Sequence, residues 1–470
     1  MSASDPLSPR DLRPRDRASA VASLKQRFGD RVHTGEAIRR QHGHTTTWLT
    51  NQPPDAVVFA TSTEDVAEVV KIARTYRCPV IPFGAGTSLE GQLNAPEGGI
   101  SIDFSEMNRV LSVNERDLDA VVQAGISRKA LNEYVRTSGL FFPVDPGAES
   151  ATIGGMASTR ASGTTAVRYG TMRDNVLNVK AVMADGSIIK TAQRARKTSA
   201  GYDLTRLLVG AEGTLGIITE LTVRLYGIPE KILSAVCPFE TLEGACNTVI
   251  QAIQLGLGIA RVELLDELQV HACNVHSKLG LEERPTLFIE FHGTEVSARD
   301  QVEQFKALAE GEGAIRFDWA EAEEDRRRLW KARHDVYWAV KTTWPGKEYI
   351  ATDVCVPISH LAACILETRK DIDEHGLIAP IVGHVGDGNF HTSLAVDLNN
   401  PKDIEAAHAY LGRLAERAIR FEGTCTGEHG IGQGKRKYLR AELGDSVAVM
   451  ATIKQALDPD NIMNPGKILL

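Results

Sequence analysis

Two histidines, His384 and His391, lie close together in the segment Pro380–Asp397 and could bind one metal ion. Between them stand Asp387 and Gly388, the preferred pair for a two-residue type I′ turn. This pair predicts a β-hairpin in which the two histidines face each other, with Cβ atoms roughly 4.5–5.5 Å apart. A pair of buried, hydrogen-bonded histidines is the alternative interpretation.

Glu428 and His429 favour the metal interpretation. They lie in the glycine-rich segment Cys425–Gly432 and add a carboxylate and a third imidazole. Two histidines and one glutamate with an open position form the ligand set of a catalytic metal, whereas structural sites fill every position. Such ligands suit Zn²⁺ and tolerate Mn²⁺ or Fe²⁺.

Three runs of small residues before residue 220 could hold a phosphate or a flat ring system. The first, Pro82–Gly91, follows a predicted strand, so that its backbone N–H groups could face a pyrophosphate. Its spacing, G-x-G-x4-G, differs from the dinucleotide fingerprint G-x-G-x-x-G, which disfavours a nicotinamide-binding Rossmann domain. The others are Pro146–Ala148 with Ile153–Thr164, and Val209–Thr219, where glycine and alanine permit close approach of the backbone to a ligand. Each run alone could be a surface loop, but three together favour a ligand.

The elements that must position these runs begin with a helix over Arg17–Phe28. Next, Val57–Ala60 (strand), Thr63–Tyr76 (helix) and Pro79–Phe83 (strand) predict a βαβ unit. The stretch Ala148–Gly170 has little that could build a core, so it is either a flexible linker or backbone laid against a ligand.

Length and charge limit the architecture and the partners. A chain of 470 residues exceeds what one hydrophobic core usually serves, which predicts two domains. The net charge of −8, without a block of Lys or Arg, disfavours nucleic acid and anionic membrane surfaces as partners. Because no run of 18 apolar residues occurs, we expect no transmembrane segment.

The seven cysteines are scattered, odd in number and lack a Cys-x-x-Cys pair, which is typical of reduced thiols in a cytosolic-type compartment. The N-terminus mixes Arg with Asp and has no apolar region, so it predicts neither a secretory signal nor, with any strength, a transit peptide. Residues up to about Asp16 are expected to form a loose tail. We therefore expect a cytoplasmic protein, with peripheral attachment to a membrane left open.

The order of the three runs resembles the flavin-binding domain of the vanillyl-alcohol oxidase/p-cresol methylhydroxylase (PCMH) superfamily. The C-terminal half resembles, more narrowly, the cytochrome-type D-lactate dehydrogenase group, whose relatives include glycolate oxidase flavin subunits and D-2-hydroxyglutarate dehydrogenase. The motifs that carry this second resemblance are Leu329–His334, Thr352–Pro357, His384–His391, Gly423–Gly432 and Asn464–Lys467. Together the resemblances cover the chain from about Ala37 to Leu470.

The resemblance implies an α+β fold: a two-subdomain PCMH-type FAD-binding domain, a separate α+β substrate (cap) domain, and a C-terminal segment that returns to the flavin. The implied boundaries are an N-terminal tail and helix at 1–36, the FAD-binding domain at 37–227, the cap domain at 228–425 and the C-terminal segment at 426–470.

The resemblance also implies a bound FAD, which should be noncovalent because no histidine lies in the three runs. Gly84–Gly91 and Ile153–Thr164 would hold the pyrophosphate and isoalloxazine, Glu212–Ile218 the adenine and ribose, and Asn464 would lie near the flavin. The implied FAD residues are Pro82, Gly84, Ala85, Gly86, Thr87, Ser88, Gly91, Pro146, Gly147, Gly154, Gly155, Ser158, Ser162, Gly163, Thr164, Glu212, Gly213, Gly216, Ile217, Ile218 and Asn464.

In the same family the reaction is hydride transfer from a D-2-hydroxy acid to FAD, with electrons passed on to a cytochrome or a quinone. By resemblance, His384, His391 and Glu428 would bind the divalent ion (Zn²⁺ or Mn²⁺). His429 would be the catalytic base, and Arg333 would bind the substrate carboxylate. A surface ion pair with Asp335 is the alternative for Arg333. Glu263 and Asp266 lie in an apolar stretch and are candidates only to support the site residues.

One departure from the family pattern bears on the substrate. The hydroxyglutarate enzymes place a lysine where this chain has Ala351, which argues for a monocarboxylate such as D-lactate, with pyruvate as the product. The alternatives are the flavin subunit of a glycolate-oxidising complex, a D-2-hydroxyglutarate-type dehydrogenase, or a catalytically silent FAD-binding subunit. A homodimer is compatible with the sequence.

Overall fold

The computed structural model describes residues 14–45, 47–320 and 322–470. They divide into two compact units. Of the described residues, the first unit comprises those up to Ala161, Thr171–Gly227 and His429–Leu470, and the second comprises those in Ser162–Gly170 and Ile228–Glu428. Both units mix helices with sheets, which confirms the α+β prediction. The predicted loose tail lies outside the described residues for its first 13 positions.

The elements of the described residues are numbered in chain order. The α-helices are α1 (Arg17–Phe28), α2 (Glu36–Gln41), α3 (Thr63–Thr75), α4 (Arg128–Val135), α5 (Ile153–Thr159), α6 (Ala166–Tyr169), α7 (Met172–Asn175), α8 (Leu204–Leu208), α9 (Leu242–Gln254), α10 (Glu267–Ser277), α11 (Glu295–Gly311), α12 (Glu323–His334), α13 (Val336–Thr343), α14 (Leu361–Glu374), α15 (Pro401–Arg420), α16 (Arg436–Leu443) and α17 (Ser446–Leu457). The strands are β1 (Val32–His33), β2 (Ala56–Phe59), β3 (Val80–Phe83), β4 (Ile100–Asp103), β5 (Val110–Asn114), β6 (Asp119–Gln123), β7 (Leu140–Phe141), β8 (Val176–Val182), β9 (Ile188–Lys190), β10 (Ile217–Arg224), β11 (Tyr226–Gly227), β12 (Lys231–Pro238), β13 (Ile259–Leu265), β14 (Thr286–Gly293), β15 (Asp318–Ala320), β16 (Glu348–Ala351), β17 (Val354–Cys355), β18 (Ile381–Gly383) and β19 (Asn389–Val396).

The first unit contains two main sheets. In the four-stranded sheet, ordered β1-β2-β4-β3, strands β2 and β3 both run parallel to β4. Helix α3 connects β2 to β3, as the predicted βαβ unit requires, and its buried residues Val66, Val69, Val70 and Ala73 recur at helical spacing. The five-stranded sheet, β5-β6-β10-β8-β9, is antiparallel throughout.

The second unit is built on an antiparallel sheet of eight strands, β15-β12-β14-β13-β18-β19-β16, with β17 paired to β19. Strand β19 is buried at every position, and β13 and β14 at nearly every position. Polar side chains on these strands, including Glu263 and His391, are therefore enclosed. Buried polar groups of this kind need hydrogen-bonding or ionic partners.

The stretch Ala148–Gly170 is not the flexible linker that was one of its two interpretations. It contains α5 and α6, and Thr152 Oγ1 caps α5 by accepting a hydrogen bond from the Gly155 N–H at 3.2 Å. A Cβ at Gly154 would lie 2.5 Å from the Cβ of Ala124. The small residues therefore allow α5 to approach the end of β6.

The turn between β18 and β19 gives a test of the fold. Gly388 has φ +77°, and a Cβ there would lie 2.0 Å from the carbonyl oxygen of Val356. Gly376, which follows α14, has φ +61° but no atom within 4 Å of a built Cβ.

We expect Gly388→Ala to lower the thermal unfolding midpoint well below that of Gly376→Ala. Both variants carry the cost of a left-handed backbone, about 1–2 kcal/mol. Gly388→Ala adds a steric clash that costs roughly 1–3 kcal/mol more. Equal midpoints for the two variants would contradict the observed packing of Gly388 on Val356.

Candidate active site

The two histidines reach the site by a different route from the predicted hairpin. His384 follows β18, and a 3-10 turn over Val385–Asp387 then leads to Gly388. In the ladder of β18 and β19, His391 pairs with Val382. The prediction that His384 stands opposite His391 across a two-residue turn is therefore wrong, because the 3-10 turn places His384 beyond the paired residues.

The side chains nevertheless converge. His384 Nε2 and His391 Nε2 lie 3.2 and 3.3 Å from the same oxygen, Oε1 of Glu428. The two rings have centroids 5.2 Å apart, with planes at 80°. One ligand atom from each of the three residues lies within 4.8 Å of the others, a spacing that one ion could span.

Both imidazoles are oriented through their other nitrogen. His384 Nδ1 lies 2.6 Å from Glu263 Oε1, and His391 Nδ1 lies 2.8 Å from the carbonyl oxygen of Thr352. These oxygens can only accept, so each Nδ1 carries the hydrogen. The Nε2 atoms, which face Glu428, are then the nitrogens through which the two imidazoles would bind an ion, as metal-binding histidines do.

Asp353 holds Glu428, the third predicted ligand, in place, a role that the sequence analysis missed. This residue is 1% exposed, and its carboxylate accepts hydrogen bonds from Asn389 Nδ2, Thr426 Oγ1 and the backbone N–H of Glu428 at 2.8–2.9 Å. Ser162 Oγ donates to Glu428 Oε2 at 2.8 Å. An aspartate within an apolar strand-like run was the signal available in the sequence.

Arg333 is buried, and its partner is Glu263. Its Nε donates to Glu263 Oε2 at 2.6 Å, and its Nη2 pairs with the same oxygen. The alternative ion pair with Asp335 is wrong, because Asp335 pairs with Lys331. Glu263 therefore contacts both a predicted metal ligand and the predicted substrate-binding arginine.

Asp266, the other candidate supporting residue, serves the fold. Its Oδ1 accepts the N–H of Gln269 at 2.8 Å and so caps α10, while Oδ2 lies 3.2 Å from Arg369 Nη1. Burial raises the pKa of Asp266 to about 7.

Burial and neighbouring charges shift the pKa values of this cluster in opposite directions, and the neighbouring charges have the larger effect. Burial alone would lower the pKa of His384, but the Glu263 and Glu428 carboxylates outweigh it and hold that pKa well above its ordinary value. Burial alone would raise the pKa of Glu428, but His384 and His391 hold it well below its usual range. The pKa of Glu263 is likewise lowered by Arg333 and His384 against the effect of burial.

The charges of this cluster can accommodate a divalent cation. Three carboxylates are joined to the single guanidinium of Arg333: those of Glu263 and Asp353 are fully buried, and that of Glu428 is 12% exposed. If both imidazoles are neutral, two negative charges are uncompensated, and an uncompensated buried charge is costly. A divalent ion among the three ligand atoms would balance them, so the residues fit such an ion.

In the first unit, the three predicted FAD runs contact one another. A Cβ at Gly84 would lie 2.3 Å from Thr152 Oγ1, which brings the first run against the start of α5. The backbone N–H of Glu212 donates to the carbonyl oxygen of Ser158 at 2.9 Å, which joins the second run to the third. These backbone segments are therefore adjacent to one another in the first unit.

Two of the predicted FAD residues use their side chains to hold the C-terminal segment. The Glu212 carboxylate accepts the backbone N–H groups of Ile431 and Gly432 at 2.7 and 2.8 Å, and burial raises its pKa to about 7. Asn464 Nδ2 donates to the carbonyl oxygens of Gln92 and Glu212 at 3.2 and 2.7 Å. If these residues contact FAD as predicted, their backbones would make most of that contact.

The remaining predicted FAD residues differ in what they offer. Ile217 and Ile218 start β10 and bury their side chains in the apolar core. Gly86 and Gly91 have φ of +71° and +74°, as a tight loop requires. Ser88 Oγ is buried and makes no hydrogen bond within the described chain, so an oxygen-rich ligand such as a pyrophosphate would satisfy it.

The other predicted FAD residues are distributed over both units. Pro82 lies within β3, and Ala85 and Thr87 lie in the loop after it. Pro146 and Gly147 lie between β7 and α5, Gly155 belongs to α5, and Gly213 and Gly216 lie between α8 and β10. The second unit contains Ser162, Gly163 and Thr164.

His429, the predicted catalytic base, follows Glu428 directly and begins the last segment of the first unit. Its carbonyl oxygen accepts a hydrogen bond from Gln92 Nε2 at 2.8 Å. Its Nδ1 lies 4.0 Å from Glu90 Oε1.

Two family models match the chain. The model described as the FAD binding domain matches residues 54–192, and the model described as FAD linked oxidases, C-terminal domain, matches residues 228–468. These matches confirm the prediction of an FAD-dependent oxidoreductase.

Three curated relatives show how far the similarity extends. The chain is 49% identical to a probable mitochondrial D-lactate dehydrogenase of Danio rerio, over 96% of this chain and 91% of the relative. It is 46% identical to a D-lactate dehydrogenase (cytochrome), mitochondrial, of Arabidopsis thaliana, over 88% and 73%. It is 39% identical to D-lactate dehydrogenase (cytochrome) 1, mitochondrial, of Saccharomyces cerevisiae, over 95% and 79%. The resemblance stated from the sequence is confirmed.

Solved structures show the fold. A 4-ethylphenol oxidase from Gulosibacter chungangensis matches with a TM-score of 0.79 at 21% identity, covering 96% of this chain and 97% of that one. A p-cresol methylhydroxylase with substrate bound matches with a TM-score of 0.79 at 17% identity, covering 96% of each chain. The PCMH-type architecture predicted from the sequence is therefore confirmed.

The relatives correct the expected location. The prediction of a cytoplasmic protein is wrong, because the matched relatives from fish, plant and yeast are mitochondrial proteins. The error arose from reading the cysteine pattern, since reduced thiols do not distinguish these compartments. Among the described helices, none is both long and apolar enough to cross a membrane.

Proposed function

The chain belongs to the family of FAD-linked oxidases, and on that premise we propose that it oxidises D-lactate to pyruvate with the help of a divalent ion. The relatives at 39–49% identity over most of the chain are D-lactate dehydrogenases, which supports the substrate. Two of the three carry cytochrome in their names, which supports a cytochrome as electron acceptor. The homodimer stays a prediction.

One observation carries the proposal of a metal-assisted reaction: two buried imidazoles direct their Nε2 atoms at one carboxylate oxygen, 3.2 and 3.3 Å away. Both Nδ1 atoms also donate to fixed acceptors, and this orients both Nε2 atoms towards the same point. A histidine pair with only a structural role would not require that orientation. Two imidazoles and one carboxylate also leave positions open for a substrate, as catalytic sites do. We assign His384, His391 and Glu428 as the ligands and Zn²⁺ or Mn²⁺ as the ion.

When bound, FAD supplies a two-electron acceptor for the hydride leaving C2, and a divalent ion lowers the pKa of the substrate hydroxyl. His429 would accept the hydroxyl proton as general base, a role whose removal typically costs 10²–10⁴-fold in rate. Substrate thus loses one hydride and one proton and leaves as a 2-oxo acid. The N–H groups of the small-residue runs would hold the pyrophosphate of FAD in the first unit.

Arg333 would bind the substrate carboxylate. Its pairing with Glu263 uses Nε and Nη2, so Nη1 lies outside that pair. A guanidinium held on one edge is fixed in direction, which favours a planar carboxylate on its other edge. Ala351, at the end of β16, offers no second cation, which supports a substrate with a single carboxylate.

We predict that the purified protein shows the visible spectrum of oxidised flavin and that D-lactate bleaches it without oxygen. L-lactate should leave the spectrum unchanged, because a fixed carboxylate and hydroxyl present C2–H to the flavin in one enantiomer only. Glycolate and D-2-hydroxyglutarate serve as competitors, and faster bleaching by either would overturn the assignment of D-lactate.

We also predict about one divalent ion per chain, lost in His384→Ala because one of the three ligands is removed. Elemental analysis of the dialysed protein measures it. The matched control is His408→Ala, at an exposed position on α15 of the same unit. If His384→Ala retains the ion and the activity, the ligand assignment is wrong.

A further inference from the structure

We infer that Glu263 is a positioning residue that fixes His384 in its metal-binding tautomer, and that Arg333 sets the orientation of the Glu263 carboxylate. This inference rests on the metal site of the proposed function and deepens it. It concerns residues that bind neither the ion nor the flavin in that proposal.

The geometry divides the two oxygens of Glu263 between two donors. The residue lies on β13, where it pairs with Phe288 of β14, and its side chain is 0% exposed. Oε1 lies 2.6 Å from His384 Nδ1, and Oε2 accepts from Arg333 Nε at 2.6 Å. With no solvent to supply other partners, these contacts determine which atoms carry hydrogen.

The donor and acceptor inventory then leaves one arrangement. A guanidinium has donors only, and an ionised carboxylate has acceptors only. Arg333 therefore always donates to Glu263, and Glu263 requires a hydrogen on His384 Nδ1. Because Nδ1 keeps its hydrogen, Nε2, which lies 3.2 Å from Glu428 Oε1, is the nitrogen through which His384 would bind an ion.

The same carboxylate links the two ends of the proposed substrate. Through Arg333 it sets the direction of the group that would bind the substrate carboxylate. Through His384 it orients a ligand of the ion that would take the hydroxyl. A substitution at Glu263 should therefore change the metal affinity of the second unit more than it changes the FAD content of the first unit.

The second unit contains a matched control. Glu290, on the neighbouring strand β14, is also buried, and its Oε1 lies 2.7 Å from His292 Nε2 and 3.6 Å from Arg261 Nε. It repeats the combination of glutamate, histidine and arginine, but His292 lies against Tyr169 rather than Glu428. Glu290→Gln thus reproduces the same chemical change away from the ligand set.

Glu263→Gln is the first test, because an amide cannot accept from both sides. Arg333 can only donate, so the amide oxygen must face Arg333 and the NH₂ group must face His384 Nδ1. His384 Nδ1 must then accept, and its hydrogen moves to Nε2, where it blocks the ion. Loss of such a supporting partner typically costs about 10–100-fold in metal affinity.

Removing the guanidinium separates this effect from loss of charge and from misfolding. In Glu263→Gln with Arg333→Met, the amide can turn its oxygen to His384 Nδ1, and the metal-binding tautomer returns. In Glu263→Met with Arg333→Met, the net charge is the same but no acceptor remains. Each double variant removes one negative and one positive charge, so neither leaves the Arg333 guanidinium buried without its carboxylate, which is the main threat to folding of the single variant.

The probe is Zn²⁺, titrated into metal-free, FAD-loaded protein in competition with a chromophoric chelator, with FAD content as the check on folding. We expect Glu263→Gln to bind Zn²⁺ about 10–100-fold more weakly than wild type. Glu290→Gln should match wild type, and the Gln/Met double variant should bind at least tenfold more tightly than the Met/Met double variant.

Equal affinities of the two double variants would overturn the inference while leaving the proposed function intact. The same holds if Glu263→Gln binds Zn²⁺ as tightly as wild type. Wild-type protein that binds no divalent ion would instead refute the metal site of the proposed function, and this inference with it.

Discussion

The contact of the Glu428 carboxylate with the imidazoles of His384 and His391 is the interaction that the surrounding residues of the second unit support. Groups of this kind cannot be removed from water unless each is paired and hydrogen-bonded. The structure meets that demand on every side, since Asp353 holds the backbone of Glu428 and Glu263 holds the far nitrogen of His384. Glu263 and His391 lie on β13 and β19, which are buried along nearly their whole length, while His384, Asp353 and Glu428 lie in segments outside the strands.

Compensation of charge explains why the cluster has this composition. Carboxylates outnumber the single guanidinium of Arg333, and the imbalance is what a divalent cation would relieve. A protein in which apolar residues replace such buried ionic groups is often as stable as the original. Their presence therefore points to chemistry rather than to stability, and the family to which the chain belongs uses FAD for that chemistry.

Much of the architecture could be predicted from the sequence, because local signals and the final fold agree. Helix α1 occupies the predicted residues Arg17–Phe28, and the βαβ unit appears where apolar strands flank an amphipathic helix. The hairpin prediction failed because Asp-Gly also closes a 3-10 turn when only the glycine takes positive φ. The roles of Glu263 and Asp353 could not be read from spacing, since each depends on strands far apart in the chain. The Glu212 side chain, assigned by resemblance to a cofactor, instead binds two backbone N–H groups of the C-terminal segment.

The most direct test of this account is an X-ray diffraction experiment on the Zn²⁺-loaded protein, with data collected on both sides of the zinc absorption edge. The account predicts one strong anomalous peak, about 2.0–2.2 Å from His384 Nε2, His391 Nε2 and a Glu428 oxygen. It also predicts that the far nitrogen of His384 stays within hydrogen-bonding distance of Glu263. An anomalous peak elsewhere, or none at these three side chains, would contradict it.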